Sequence, residues 1–84
     1  MNNFVIVGRY KTIKGDYFII TVNRPFKNED GEYESYDLKI FSSENIINNM
    51  LEYVETGDVI GIRGRIEKDD KLFAEKISFL SSKK

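Results

Sequence analysis

Residues 3–9 read Asn-Phe-Val-Ile-Val-Gly-Arg, and residues 57–66 repeat the pattern as Gly-Asp-Val-Ile-Gly-Ile-Arg-Gly-Arg-Ile. In each stretch, a run of mostly β-branched apolar residues is followed by Gly-Arg, and β-branched residues favour strands. A glycine inside a strand permits a sharp bend, and the arginine after it offers a planar guanidinium that suits a phosphate. The repeated pattern therefore predicts a small, curved sheet with arginines at its mouth.

The chain that follows the first run has the pattern of an antiparallel hairpin. Residues 4–7 are a continuous apolar run, which predicts a buried strand that bends at Gly8. Residues 14–16, Lys-Gly-Asp, supply a tight turn. Residues 17–22 then alternate in polarity and predict a second strand, which we expect to end at Pro25, the only proline.

After a polar connection with an Asp-Gly turn, residues 36–41 alternate again and predict a third strand. Because successive side chains of a strand point to opposite faces, Leu38 and Ile40 are expected to face the core. The same alternation places Lys39 and Phe41 on the outer face.

A helix is predicted next, because the apolar period changes after Ser42-Ser43. A serine is the candidate N-cap, Glu44 lies in the first turn, and Gly57 is the candidate C-terminal glycine. The apolar residues at helical spacing are expected to plug one end of a barrel. They are Ile46, Ile47, Met50, Leu51 and Val54.

Two further strands complete the pattern. Residues 58–67 alternate and residues 72–80 return after an Asp-Asp-Lys turn. Three strands, one helix and two strands form the order of the OB-fold, a five-stranded Greek-key barrel with the helix between strands 3 and 4. We expect the OB-fold domain to span residues 1–80, followed by a short, flexible, basic end at residues 81–84.

Composition limits the possible functions. A chain of 84 residues suits one domain, and its apolar runs are far too short to span a membrane. Because it contains no cysteine and no histidine, it lacks disulfides, the usual zinc ligands and the usual general base. The residues at the start do not form a secretory signal. We therefore expect a cytoplasmic protein that is not an enzyme and has no metal or cofactor.

Charge is unevenly distributed, although the formal net charge is only -1. Residues 1–27 contain five basic residues and one acid, and residues 28–62 contain nine acids and a single lysine. Residues 63–84 contain seven basic residues and four acids. A barrel that brings its first and fourth strands together is expected to have a basic face opposite an acidic one. The alternative is a surface on which both signs are mixed.

The chain as a whole resembles the bacterial single-stranded-DNA-binding protein family. The resemblance lies in four stretches that follow the family's order, at residues 3–9, 20–26, 57–65 and 74–80. It implies an OB-fold that binds single-stranded DNA with little regard to sequence, in replication, recombination or repair. It also implies a homo-oligomer, a dimer or tetramer that associates through the first strand.

Aromatic side chains are the candidate stacking surfaces for bases. The resemblance assigns this role to Phe26, just after the second strand, and to Phe41, at the end of the third. It also points to Tyr36, yet Tyr36 and Phe41 are five residues apart, so without a bulge they face opposite ways. Tyr10 and Tyr17 flank the first hairpin and are expected either to stack bases or to cover a barrel edge or subunit contact.

Basic side chains are the candidates for phosphate contact. For each of them the alternative is a salt bridge to a nearby acid, and Glu67 beside Arg65 illustrates it. The candidates are Arg9, Lys11, Arg24, Lys27, Lys39, Arg63 and Arg65.

Two departures from the family favour other interpretations. The loop at residues 68–71 is short and has no aromatic, whereas the family extends a basic, aromatic-bearing hairpin there. The chain also ends in Lys83-Lys84 instead of the family's acidic tail, so partners recruited by that tail are not expected. The alternatives are an OB-fold dimer resembling primosomal replication protein N, or a protein-interaction subunit that uses the acidic residues 28–62.

Overall fold

The computed structural model describes residues 2–81, without the side chains of Pro25 and Ser81. Five strands close into a barrel in the order β1-β2-β3-β5-β4, and one helix lies between β3 and β4. The predicted OB-fold is confirmed. The elements are β1 (Asn3–Lys14), β2 (Tyr17–Lys27), β3 (Tyr33–Ser42), α1 (Glu44–Tyr53), β4 (Val59–Glu67) and β5 (Lys71–Ser81).

The first strand is shared between two neighbours. Residues 3–9 of β1 pair antiparallel with β4, and residues 9–14 pair antiparallel with β2, with a register shift after Tyr10. The barrel closes where β3 meets β5 in parallel, through the pairs Phe41↔Phe73 and Ser42↔Ala74. This short parallel contact brings β5 beside β3, which antiparallel hairpins alone would not do.

The core follows the predicted alternation. Phe18 and Ile20 of β2 and Ile40 of β3 are fully buried, whereas their sequence neighbours face outward or lie at the surface. Ile60 and Ile62 of β4 are buried as well. Because the period of a strand is two, the outward positions of the same strands are free to carry binding residues.

The first strand is only half-buried, and the prediction of a buried run at residues 4–7 was wrong. Phe4 and Ile6 pack against the core, but Val5 is 74% exposed and Val7 is 53% exposed. The barrel covers only the inner face of β1, so every second residue of the run faces solvent. This leaves an apolar patch on the outside.

Helix α1 begins as predicted. The Ser43 side chain accepts a hydrogen bond from the backbone N–H of Ile46 at 3.4 Å, and Ile47 and Met50 are buried. Leu51 was expected in the core but is 62% exposed, because it lies at the flank of the buried stripe.

The predicted C-terminal glycine of the helix was wrong too. The helix ends at Tyr53, and Val54 caps it in an extended conformation. Gly57 lies in the following turn with φ 98°, and its N–H donates to the Tyr10 carbonyl at 2.8 Å. The glycine therefore serves a tertiary contact between the turn and β1.

The second strand does not end at Pro25, which corrects another expectation. Strand β2 continues to Lys27, which pairs with Tyr33 after a register shift that begins at Asn23. Residues 24–26 have no Cα partner in this pairing, so a proline there interrupts no ladder hydrogen bond.

The last turn is as short as the sequence predicted. Residues 68–70 form a tight turn in which Asp69 and Asp70 both have positive φ, 64° and 59°, and β5 then runs to Ser81, which pairs with Val59. A flexible end was predicted at residues 81–84, but Ser81 belongs to β5. Residues 82–84 lie outside the described residues. The ten-residue α1 is the only α-helix among residues 2–81, and no helix there has the length and hydrophobicity needed to cross a bilayer.

Candidate nucleic-acid interface

Three aromatic side chains form a row across the outside of the barrel. Tyr17 of β2 is the Cα partner of Phe41 of β3, and Phe41 is the Cα partner of Phe73 of β5. Neighbouring strands are about 4.8 Å apart, so the three residues fall within about 10 Å. We call Tyr17, Phe41 and Phe73 the aromatic row.

Alternation sets the direction of the row. The residues beside it in sequence, Phe18, Ile40 and Ala74, are buried in the core, so the row residues face outward. Tyr17 and Phe41 are half-buried, and their ring centroids are 5.3 Å apart with a tilt of 53°. Such a tilted pair is a favourable aromatic contact.

Each ring of the row is in contact with a cation. The Lys39 ammonium lies 4.7 Å from the Tyr17 centroid, and the Lys71 ammonium lies 4.0 Å from the Phe41 centroid. The Arg65 guanidinium carbon lies 4.5 Å from the Phe73 centroid. Cations at these distances are attracted to the ring face. The surface therefore offers rings for bases and positive charge for phosphates side by side.

The two lysines of this surface differ from its arginine in their partners. Neither Lys39 nor Lys71 forms an ion pair within residues 2–81, whereas Arg65 is paired with both Glu67 and Glu75 at 2.8 Å. These hydrogen-bonded carboxylates raise the pKa of Arg65. The two lysine charges therefore remain available to a phosphate chain.

Salt bridges also occupy two other predicted phosphate contacts. Lys11 pairs with Asp37 at 2.7 Å, and Arg24 pairs with Glu34 at 3.1 Å. The Lys11 ammonium, together with the Thr21 hydroxyl that donates at 2.9 Å, lowers the pKa of Asp37. Lys11, Arg24 and Arg65 are therefore paired with acids in the free protein, which is the alternative to phosphate contact that the sequence left open.

A second group of predicted residues lies at the far end of the β2–β3 hairpin. Phe26 is 79% exposed and borders a shallow pocket with Arg24 and Lys27. The Lys27 ammonium also lies 5.6 Å from the Tyr33 centroid. Glu29 and Glu34 line the same pocket, so this group has less positive character than the aromatic row.

Tyr36 belongs to this second group and not to the row. The β2–β3 register is continuous between Tyr36 and Phe41, so the two side chains have opposite parity, as the five-residue spacing predicted. Tyr36 is exposed and borders an open pocket with Arg24 and Glu34.

Tyr10 is a core residue, and its predicted binding role was wrong. It is 8% exposed, and burial raises its pKa. The cause is the alternation of β1, which turns Phe4, Ile6, Gly8 and Tyr10 inward. That alternation was readable from the sequence.

The remaining two arginines lie apart from the row. Arg9 donates from its Nη1 to the Gly57 carbonyl at 2.8 Å. Arg63 faces outward on β4 and borders a shallow groove with Val5 and Val7 of β1. Arg9 and Arg65, the arginines of the two Gly-Arg runs, pair with Val59 and Asn3 at opposite ends of the β1–β4 ladder. They therefore do not meet at one mouth of the sheet, contrary to expectation. The groove also contains Lys76, so the predicted basic character of the β1–β4 side is present locally.

Sequence reasoning missed two residues of the surface, Lys71 and Phe73. The outward direction of Phe73 could have been read from its position between the apolar Leu72 and Ala74. The nearness of Phe73 to Phe41 could not have been read from the sequence, because it depends on the parallel pairing of β3 with β5.

Sequence comparison finds relatives with a consistent description, although no family model matches the chain. Single-stranded DNA-binding protein 3 of Listeria innocua is 29% identical over 105 residues, covering 99% of this chain and 66% of that protein. The single-stranded DNA-binding protein of Streptococcus mutans is 32% identical over 77 residues, covering 80% of this chain and 47% of that protein. The chain thus spans from about half to two thirds of these relatives' length.

Solved structures with the same fold are described in similar terms. The mitochondrial single-stranded DNA binding protein of S. cerevisiae superposes with a TM-score of 0.71 at 18% identity, covering 98% of this chain and 96% of that one. The Plasmodium falciparum SSB in complex with ssDNA gives a TM-score of 0.66 at 18% identity, with 96% of each chain covered. The chain is an OB-fold protein similar to the bacterial single-stranded-DNA-binding proteins, which confirms the predicted resemblance.

Proposed function

We propose that this protein binds single-stranded DNA with little regard to sequence and catalyses no reaction. The observation that carries the proposal is the aromatic row with Lys39 and Lys71 beside it. Every base has a flat face, and stacking on an aromatic ring contributes about 1–3 kcal/mol per base. Phosphate contacts from the two lysines add affinity that does not depend on sequence.

The path of the strand follows from this surface. Bases stack on Tyr17 and Phe41, whose rings are half-buried and adjacent. The Lys39 and Lys71 ammonium groups, which are tethered by flexible stems, move from the rings to the phosphates. Phe26 and Lys27 extend the contact at the hairpin, where Phe26 is the most exposed large apolar residue of the described chain.

The cellular role is proposed from the relatives. Their names specify single-stranded DNA, so we infer that this protein covers strands exposed in the cytoplasm during replication, recombination or repair. We also propose that it forms a homo-oligomer, a dimer or tetramer. The surface for association is the outer face of β1, where Val5 and Val7 are exposed.

Binding to a labelled oligo-thymidine, followed by fluorescence polarisation at low and high salt, tests the proposal. We expect saturable binding that weakens steeply as salt rises. Phe41→Ala and Tyr17→Ala should each weaken binding about fivefold or more, because each removes one stacking surface. Tyr53→Ala is the matched control, since Tyr53 is an exposed aromatic on α1 and outside the row. If the wild-type protein does not bind at low salt, the proposal is wrong.

A second candidate function is a protein-interaction subunit, alone or in a dimer that resembles primosomal replication protein N. It is favoured by the ion pairs that neutralise Lys11 and Arg24 and by the acidic character of residues 28–62. It predicts a stable oligomer that does not bind oligo-thymidine at any salt concentration. The same polarisation experiment therefore separates the two candidates.

A further inference from the structure

The three rings of the aromatic row are not equally open to a base. The cation beside Tyr17 and the cation beside Phe41 are lysines without an ion pair in residues 2–81, but the cation on Phe73 is held in place. A lysine ammonium is a point charge on a flexible stem, whereas a guanidinium is a rigid plane that carboxylates can fix from several sides.

Two carboxylates hold Arg65 over Phe73. The Arg65 Nε donates to Glu67 Oε2 at 2.9 Å, and Nη2 lies 2.8 Å from the same oxygen. Nη1 donates to Glu75 Oε2 at 2.8 Å. Charge-assisted bonds of this length are the strong ones, and here they use three different nitrogens of one guanidinium.

We infer that Phe73 is a third base-stacking position that the chain keeps closed, because Glu67 and Glu75 hold the Arg65 guanidinium on its ring. The inference rests on the proposed binding of single-stranded DNA. The cross-strand pairing places Phe73 next to Phe41 and Arg65 next to Phe73, so a strand that crosses Tyr17 and Phe41 arrives at this ring. The latch, defined as Arg65 with Glu67 and Glu75, limits the aromatic row to two stacked bases, on Tyr17 and Phe41.

The latch makes the affinity for a single strand adjustable by carboxylates that do not touch the strand. Removing their charge weakens two ion pairs of Arg65 and lets the guanidinium leave the ring for a phosphate. The ring then accepts a base, and the arginine becomes a phosphate contact like Lys71. Both changes strengthen the binding of the same ligand, a flexible single strand.

The test compares the wild-type protein with Glu67→Gln/Glu75→Gln in the oligo-thymidine titration at fixed salt. We expect the double variant to bind about fivefold or more tightly, the gain of one stacked base. Glu52→Gln/Glu55→Gln, which removes two exposed acids beyond the row, is the control for net charge and should show a smaller gain. Adding Phe73→Ala to the latch variant should remove the part of the extra affinity that the ring supplies, so the triple variant should bind less tightly than the double variant.

A second readout reports on the ring itself. The chain has no tryptophan and five tyrosines, so Phe73→Trp provides a single tryptophan at the proposed position, which can be excited at a wavelength where tyrosine does not absorb. Oligo-thymidine should quench it strongly when Glu67 and Glu75 are both glutamine and weakly when both are native. Glu75→Gln alone, at an exposed residue, is the milder variant if the double one unfolds, and it should give an intermediate gain.

The outcomes separate the latch from the proposed function. If the wild-type protein does not bind oligo-thymidine, the proposed function fails and the latch with it. If the wild-type protein binds but the latch variant gains no more than the charge control, or keeps its full gain without Phe73, only the latch is overturned.

Discussion

Gly61 and Gly64 lie three residues apart on β4 and have different surroundings. A Cβ at Gly64, which faces the core, would overlap the backbone carbonyl of Phe73 on β5. A Cβ at Gly61, which faces outward, would lie 3.5 Å from a methyl group of Leu80, an ordinary contact. Of these two glycines, only Gly64 is therefore required for the close approach of two strands, and it lies against β5, the strand that carries Phe73.

We predict that Gly64→Ala destabilises the protein by about 1–3 kcal/mol, because a strand backbone cannot move aside as a side chain can. Gly61→Ala, the matched control, should change the free energy of unfolding by less than about 0.5 kcal/mol. Urea unfolding followed by far-ultraviolet circular dichroism measures both. Equal effects of the two substitutions would contradict the conclusion that Gly64, and not Gly61, is required for the close approach of β4 and β5.

Two adjacent serines join β3 to α1, and their hydroxyl groups have different environments. The Ser43 Oγ accepts the N–H of Ile46 and so caps the helix. The Ser42 Oγ is buried and has no hydrogen-bond partner in the described part of the chain. A capping oxygen stabilises a helix, whereas a buried oxygen without a partner costs free energy.

We therefore expect opposite results from the same substitution at neighbouring positions. Ser43→Ala should lower the free energy of unfolding by about 1 kcal/mol, and Ser43→Asp should retain the native value. Ser42→Ala should leave stability unchanged or raise it slightly, because it removes an unsatisfied polar group. Thermal unfolding of the three variants measures these changes in stability. A larger loss of stability for Ser42→Ala than for Ser43→Ala would refute the assignment of Ser43 as the cap.

At the scale of the whole molecule, the barrel has two different outer faces. One carries the aromatic row with its cations, and the other carries the exposed Val5 and Val7 beside Arg63 and Leu80. Exposed apolar residues that cluster on one face are typical of an interaction surface. Separate faces allow a chain to associate with a copy of itself and to bind a strand at the same time.

We predict that Val5→Asp/Val7→Asp dissociates the oligomer, because it places charges on the proposed contact. Sedimentation equilibrium should show a fall in mass, while oligo-thymidine binding by each chain persists. Leu51→Asp, which changes another exposed apolar residue, should leave the mass unchanged. An unaltered mass for the valine variant would place the subunit contact elsewhere.

The fold and the site differ in how far they could be predicted. The alternation of Phe18 and Ile20, the helical spacing of Ile47 and Met50, and the capping serine were all correctly interpreted, because they depend on local geometry. Tyr10 was misassigned although its alternation was readable. Phe73 was missed because the parallel pairing that brings it beside Phe41 leaves no local signal.

The sequence by itself determined the five strands, the helix and their order, since apolar period and turn chemistry are properties of neighbouring residues. Only the tertiary structure decided which outward side chains meet. The aromatic row consists of residues 17, 41 and 73, from three strands, and its last member joins through two parallel residue pairs. Barrel closure is a long-range event whose free energy comes from burying the inner faces, so the outer faces that it aligns have no pattern of their own in the sequence.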